Sequence, residues 1–346
     1  MKASKRIPAL PALAAALRER AAGAAAVSFA DFMDVALYGR GVGYYRCERR
    51  RVGRQEGTDF FTASSSPLFG PLVVESCVQL LGRAAASEHE FVEIGSEPSG
   101  GILTGIKHPF RAYRQVRLGD PLRIEGRSVV FSNELFDAQP FRRFRYREGT
   151  WRELGVSLET DVLEETELGA ARLALLPDGA GEGYVIDAPL AASELARSLA
   201  AQPWTGLFLA FDYGKSWEEL CHSHPEGTAR AYRHHAQSCD LLAFPGEQDL
   251  TCHLCWDWIS TALSERGFAA PTLESQEAFF VRHGAALLAR TAQAEAGRLS
   301  RDKLSLMQLL HPAHMGQKFQ ALWAMRSTGG GGPPVRIPLP TACAGR

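Results

Sequence analysis

The tightest constraint on this chain is a junction at residues 128–140. Ser128-Val-Val-Phe131 is a short apolar run that reads as a buried strand. It stops at once in Ser132-Asn-Glu-Leu-Phe-Asp-Ala-Gln-Pro140, which sets two carboxylates, Glu134 and Asp137, just past the strand's C-terminal end. In an open α/β sheet that end is where ligands bind, and an amide with two acids suits something polar or cationic. A second reading is local. Ser132 or Asn133 could cap a helix whose first turn carries the two acids, where negative charge is favoured.

The surrounding pattern argues for an α/β fold. Glu90-Phe-Val-Glu-Ile94, Tyr113 to Leu118 and Gly206-Leu-Phe-Leu-Ala-Phe-Asp-Tyr213 are further strand signals. Helical stretches are expected over 9–26, from Ser28 as a cap with Asp31 in its first turn, from Pro67 to Ala86, over Ile259 to Gly267 and around Leu299 to Leu310. Residues 142–163 alternate like an antiparallel hairpin with Gly149 at its turn. Strands alternating with helices over 90–265 predict an α/β sheet. The expected division is an N-terminal helical segment over 1–88, an α/β domain over 89–325, and a tail over 326–346. The Gly-Gly-Gly-Gly-Pro-Pro tract makes that tail too poor in core residues to fold.

With 346 residues, 45% hydrophobic and 22% charged, and a net charge of −1, nothing global steers the chain toward nucleic acid or an acidic membrane. No apolar run reaches the ~18–20 residues that span a bilayer. The N-terminal apolar stretch is interrupted by Arg18, Glu19 and Arg20, with Leu10, Leu13 and Leu17 at helical spacing, so it reads as an amphipathic helix rather than a targeting signal. Seven scattered cysteines form no disulfide framework, which points to a reducing, cytoplasmic setting.

Other motifs are weaker. Glu93-Ile-Gly95 followed by Gly100-Gly101 is a strand and glycine turn of the kind that lets backbone approach a nucleotide-like ligand. Asp120 lies about where a ribose-binding acid sits in dinucleotide-type sites, though an ordinary turn residue before Pro121 reads as well. Cys252-His-Leu-Cys255 invites zinc, but no second pair at matching spacing occurs, and buried structural cysteines explain it more simply; no metal is expected. Ser64-Ser-Ser66 lacks the context of a hydrolase nucleophile.

Taken in order, the motifs resemble the MidA-type S-adenosylmethionine-dependent methyltransferases. The matching segments include Ser28-Phe-Ala-Asp-Phe-Met33, Leu37-Tyr38, Gly43-Tyr-Tyr45, Asp59-Phe-Phe-Thr62, Phe69-Gly70 and Val92-Glu-Ile-Gly95. Further along come Asn133-Glu-Leu-Phe-Asp-Ala138 with Pro140, Phe211-Asp-Tyr-Gly214, Asp249-Leu-Thr251 with His253, and Met315-Gly316 with Phe319. The resemblance covers about 28 to 323. It implies a Rossmann-like methyltransferase sheet with added helical and antiparallel segments, S-adenosyl-L-methionine as cofactor, and a protein as substrate or partner. It also implies roles: Glu93, Gly95, Gly100, Gly101, Asp120 and Asn133 around the cofactor, Asp59 and Thr62 in a segment closing over it, and Glu134 and Asp137 beside the acceptor. The resemblance further implies arginine as the acceptor, whose guanidinium a carboxylate placed as Glu134 is suits bidentately.

The chain departs from that family in its cofactor loop, which normally reads Glu-x-Gly-Pro-Gly-x-Gly and here is Glu93-Ile-Gly-Ser-Glu-Pro-Ser-Gly-Gly101. Only about thirty residues then separate the loop from Asn133, about one βαβ unit, so the cofactor half of the sheet is expected to be abbreviated. The eroded loop leaves an alternative expectation: an inactive homologue that acts by binding a protein partner in complex assembly.

Overall fold

The computed structural model describes residues 8–47, 62–98, 100–171, 173–294 and 300–327. Leu13 and Leu17 bury one face of α1 (Pro11–Ala21), which ends where Ala22 and Gly23 turn left-handed at φ 48° and 91°. The helix is thus shorter than 9–26, because its expected last turn unwinds into a strand, β1 (Ala26–Ser28). Ser28 caps α2 (Phe29–Tyr38), its hydroxyl accepting the Asp31 N–H at 3.0 Å. The helix expected over 67–86 is two, α3 (Phe69–Leu81) and α4 (Arg83–Ala86), broken where Gly82 takes φ 83°.

Three parallel strands follow: β2 (Glu90–Ile94), β3 (Ala112–Val116) and β4 (Gly126–Asn133). The chain then leaves the sheet for an antiparallel insertion of β5 (Arg142–Arg147), β6 (Thr150–Ser157), β7 (Glu164–Ala170) and β8 (Val185–Ala188). Its β5–β6 hairpin turns at Glu148 and Gly149, both at positive φ, and β1 pairs with β6. Helix α5 (Leu190–Ala200) leads back to β9 (Trp204–Asp212), parallel to β4.

Beyond β9 lie β10 (Gly214–Lys215), α6 (Trp217–His222), β11 (Arg230–Arg233), β12 (Ala236–Ser238), β13 (Asp249–Thr251) and β14 (Leu254–Cys255). The remaining elements are α7 (Trp256–Ser264), β15 (Thr272–Ser275), α8 (Gln276–His283), α9 (Ala285–Ala294), α10 (Arg301–Leu310) and β16 (Gln320–Arg326). The main sheet has the order β15-β16-β9-β4-β2-β3, with β16 antiparallel to both its neighbours. This is the Rossmann-like sheet expected, with its cofactor half abbreviated. β3 forms the edge, and no helix forms among the described residues between β2 and β4.

Alternation along the strands sends Phe131 to one face and Val130 to the other. Phe69 and Leu72 of α3 and Phe279 and Phe280 of α8 pack on Phe91, Phe131 and Phe211. On the opposite face α5 and α7 bring Ala196, Leu199, Ile259 and Leu263 onto Val92, Val130 and Phe208. Each such large side chain contributes about 1.5–3 kcal/mol on burial. Helix α3 reaches the loop that replaces the missing helix through Gly70: a Cβ there would stand 2.1 Å from the Ile102 carbonyl oxygen. No described helix is long and apolar enough to cross a membrane. The expected tail lies outside the described residues from 328 onward.

Candidate active site

The C-terminal ends of β2, β3 and β4 open into a cavity of about 1650 Å³, which also takes walls from α2, from Thr62 to Pro67 and from α10. Of the residues singled out in the sequence, Thr62, Glu93, Gly95, Gly100, Gly101, Asp120, Asn133 and Glu134 border it. Asp137 does not reach its wall, and Asp59 lies outside the described residues.

On the sheet-edge side, Glu93 closes its own loop. Its carboxylate accepts the Ile102 N–H at 2.9 Å and the Tyr113 hydroxyl proton. Burial pushes the Glu93 carboxyl above its ordinary range, against the pull of those two donors. Gly101 is glycine because of this clasp: a Cβ there would meet the Tyr113 hydroxyl at 1.9 Å and Glu93 Oε2 at 2.2 Å. Gly95 needs its φ of 81°, and a Cβ would come within 2.9 Å of Leu135 Cδ1. The Gly100 N–H bonds back to the Glu97 carbonyl at 3.0 Å, so Glu97 stands half-buried at the wall of an open cavity. Asp120 is exposed and accepts the Arg117 N–H at 2.8 Å, four residues past the end of β3. Thr62 is buried, with its hydroxyl 2.5 Å from that of Ser64.

Two buried oxygens bordering this cavity, Ser96 Oγ and Asn133 Oδ1, have no hydrogen-bond partner among the described residues. Buried polar atoms are ordinarily satisfied. One hydroxyl and one amide oxygen left open beside a glycine turn fit a polar ligand bearing donors, such as the amino and hydroxyl groups of an adenosyl amino acid.

The other side of the cavity is acidic. No helix follows β4, which removes the capping reading of Glu134 and Asp137. Instead Glu134 sits left-handed at φ 50°, its N–H bonded to the Phe211 carbonyl at 2.9 Å. A non-glycine residue there is uncommon, and such strain gathers at functional sites. Asn133 donates to the Glu134 carboxylate at 3.0 Å, and the Ala63 backbone N–H bonds it as well. Behind it, Asp212 at the end of β9 accepts the N–H groups of Phe136 at 3.0 Å, Asp137 at 3.3 Å and Tyr213 at 2.9 Å. Asp137 is buried and hydrogen-bonded to Tyr213. Asp249, also buried, accepts from the Tyr45 hydroxyl at 2.9 Å.

These carboxylates act on one another. Burial, then Asp137 and Asp249, push Glu134 up to about 8. Burial raises Asp137 to about 6. Asp212 is driven well above the usual carboxylate range by burial and by Asp137 and Glu134. The charges acting on Glu134 and Asp212 are other carboxylates. Tyr38 and Tyr45 wall the pocket as a stacked pair, ring centroids 5.5 Å apart, and the Tyr38 hydroxyl is tied to the Ala138 carbonyl at 2.7 Å. Sequence reasoning gave no role to Tyr38, Tyr45, Asp212, Tyr213 or Asp249. The available signal was the strong strand at 206–213 ending in Asp-Tyr.

Cys252 and Cys255 pack into different cores, the first with the N-terminal helices and the second beside Trp258. The pair therefore does not converge.

Residues 109–272 match the family model described as "Putative S-adenosyl-L-methionine-dependent methyltransferase". No curated protein matches the chain. Among solved structures, it is similar to a COG1565 superfamily member from Burkholderia thailandensis bound to S-adenosyl-homocysteine: 26% identity, 91% of this chain and 92% of that chain covered, TM-score 0.79. A native structure of an uncharacterized COG1565 superfamily protein from the same organism is 26% identical, with 91% of each chain covered and a TM-score of 0.76. With the motifs and the abbreviated sheet, these likenesses bear out the resemblance to the MidA-type S-adenosyl-L-methionine-dependent methyltransferases.

Proposed function

We propose that the protein binds S-adenosyl-L-methionine and methylates an arginine side chain of another protein. The observation that carries this reading is the cluster of buried carboxylates, Glu134 with Asp137 and Asp212 behind it, which raise one another's pKa at one wall of the same cavity that holds the open oxygens of Ser96 and Asn133. Buried acids crowded together cost folding energy, and a guanidinium offsets that cost with a positive charge and forked donors.

When bound, the cofactor supplies a sulfonium-borne methyl group open to in-line displacement, so the protein's task is chiefly alignment. Ser96, the Gly95 turn, Asn133 and Asp120 would hold it. Glu134 holds and orients the guanidinium by a charge-assisted hydrogen bond and, with a pKa near 8, takes the proton that the nitrogen sheds. Asp137, raised only to about 6, adds negative charge behind Glu134. The open cavity beside Gly95 speaks against a purely partner-binding homologue. Buried free thiols such as Cys77 and Cys252 fit a cytoplasmic setting.

Calorimetry with S-adenosylhomocysteine, followed by mass spectrometry of arginine and lysine peptides incubated with cofactor, tests the reading. Binding of the cofactor product and a 14 Da gain on arginine peptides alone is the expected result. Absence of any heat or thermal shift would overturn the cofactor assignment, and methylation of lysine instead would overturn the acceptor.

A further inference from the structure

The large apolar side chains that the described fold leaves exposed are few, and three of them border the cavity beside Gly95 and Glu134. Leu118 is 45% exposed in the turn after β3, and Leu304 and Met307 are 50% and 48% exposed on α10. Leu304 and Met307 are three residues apart, so they share one helix face, and that face borders the cavity while Leu309 is buried in the core. An apolar rim on a cavity with an acidic wall is not what a small, freely soluble cation requires. Such a molecule would be held by the carboxylates alone, and apolar side chains left in water gain nothing from it. Clustered exposed apolar groups mark interaction sites. Methionine suits a rim that must fit varied neighbours, because its side chain is long and adaptable.

We propose that this rim is the docking surface for the acceptor protein, and that it takes an extended segment with large apolar residues on either side of the cationic residue entering toward Glu134. The inference rests on the reading of the cavity as an acceptor site and adds the substrate's character. Charge complementarity selects the central residue, since the wall presents Glu134 backed by Asp137 and Asp249. Leu118, Leu304 and Met307 select its neighbours. The cavity of about 1650 Å³ exceeds the roughly 300–1,000 Å³ that a drug-sized ligand fills, which leaves room for a peptide beside a cofactor.

The test uses the full chain saturated with S-adenosylhomocysteine and two fluorescent peptides, one with arginine between leucines and one with arginine between serines. Fluorescence anisotropy gives both dissociation constants for the wild type and for the Leu304→Ser/Met307→Ser double variant. Both positions are half-exposed, so the variant should fold, and a melting curve checks it. The wild type should bind the leucine-flanked peptide about tenfold more tightly, as covering the exposed half of two such side chains implies, and the double variant should lose that preference. Equal affinity for the two peptides, binding of neither, or a preference that survives the double substitution would overturn the proposal. So would a wild-type dimer that the double substitution converts to a monomer, since the rim would then be a subunit interface. A leucine-flanked lysine peptide separates this from the proposed reaction: methylation of lysine with the flank preference intact would refute the arginine assignment and leave the rim in place.

Discussion

The Asp212 carboxylate accepts the backbone N–H of Phe136 at 3.0 Å, so the end of one strand holds the turn that leaves its neighbour. The same side chain takes the Asp137 and Tyr213 N–H groups. Glu134 is thereby kept left-handed by a residue that does not border the cavity. Asp212→Ala should strand these buried donors and cost about 2–5 kcal/mol, whereas Asp212→Asn, which keeps one acceptor, should cost clearly less. Urea unfolding of the two variants measures the gap, and equal midpoints would show that the turn holds itself.

Replacing Glu134 with Gln keeps its size and removes its charge. A charge-assisted contact is worth roughly 1.5–3 kcal/mol, so methyl transfer to an arginine peptide should fall about ten- to a hundredfold. Affinity for S-adenosylhomocysteine should stay level, because the side chain faces the acidic side of the cavity. Steady-state kinetics alongside calorimetry would expose a cofactor role if both quantities dropped.

The raised carboxyls make stability depend on pH with a definite sign. An unfolded chain protonates these groups only below about pH 4, while the folded protein holds protons to about 8 at Glu134 and about 6 at Asp137. Between those limits the native state binds more protons, so this contribution is full below about pH 4 and is lost as pH rises through 8. A cationic acceptor needs the charged form, so its affinity should run the other way and increase over pH 6–8. Melting temperatures and peptide binding measured across that range should cross, and Glu134→Gln should flatten the upper part of both curves.

Gly95→Ala places a side chain at φ 81° and 2.9 Å from Leu135 Cδ1. Leu135 can swing aside, but the backbone strain remains, at about 1–3 kcal/mol. The expected outcome is a lowered melting temperature together with weaker S-adenosylhomocysteine binding. A variant that melts lower yet binds normally would mean that the turn is structural only.

Much of this was legible where short-range chemistry decides. β2 runs over residues 90–94 as its apolar content predicts, and Ser28 caps α2 because a hydroxyl three residues before a free N–H has one obvious partner. β16 was not legible. Gln320-Ala-Leu-Trp-Ala-Met-Arg326 is rich in good helix formers, and it is extended only because β9 and β15 flank it. The acidic pocket was half legible. Glu134 and Asp137 stand next to a strand signal, but Asp212 and Asp249 join them from distant stretches that only the sheet and its crossovers bring near. The helix-cap reading failed because the left-handed Glu134 turn sends the chain into the insertion rather than into a helix.

The position of β16 bears on how the protein is made. During synthesis the N-terminal parts emerge and fold first, so β9 waits with a bare hydrogen-bonding edge until the strand that separates it from β15 has left the ribosome. A long open edge of apolar residues such as Phe208-Leu-Ala-Phe211 is a template for pairing with other chains. Nascent chains stalled or cut before residue 320 should therefore be sticky and dependent on chaperones, while the finished protein, with that edge sealed by its last described strand, should not.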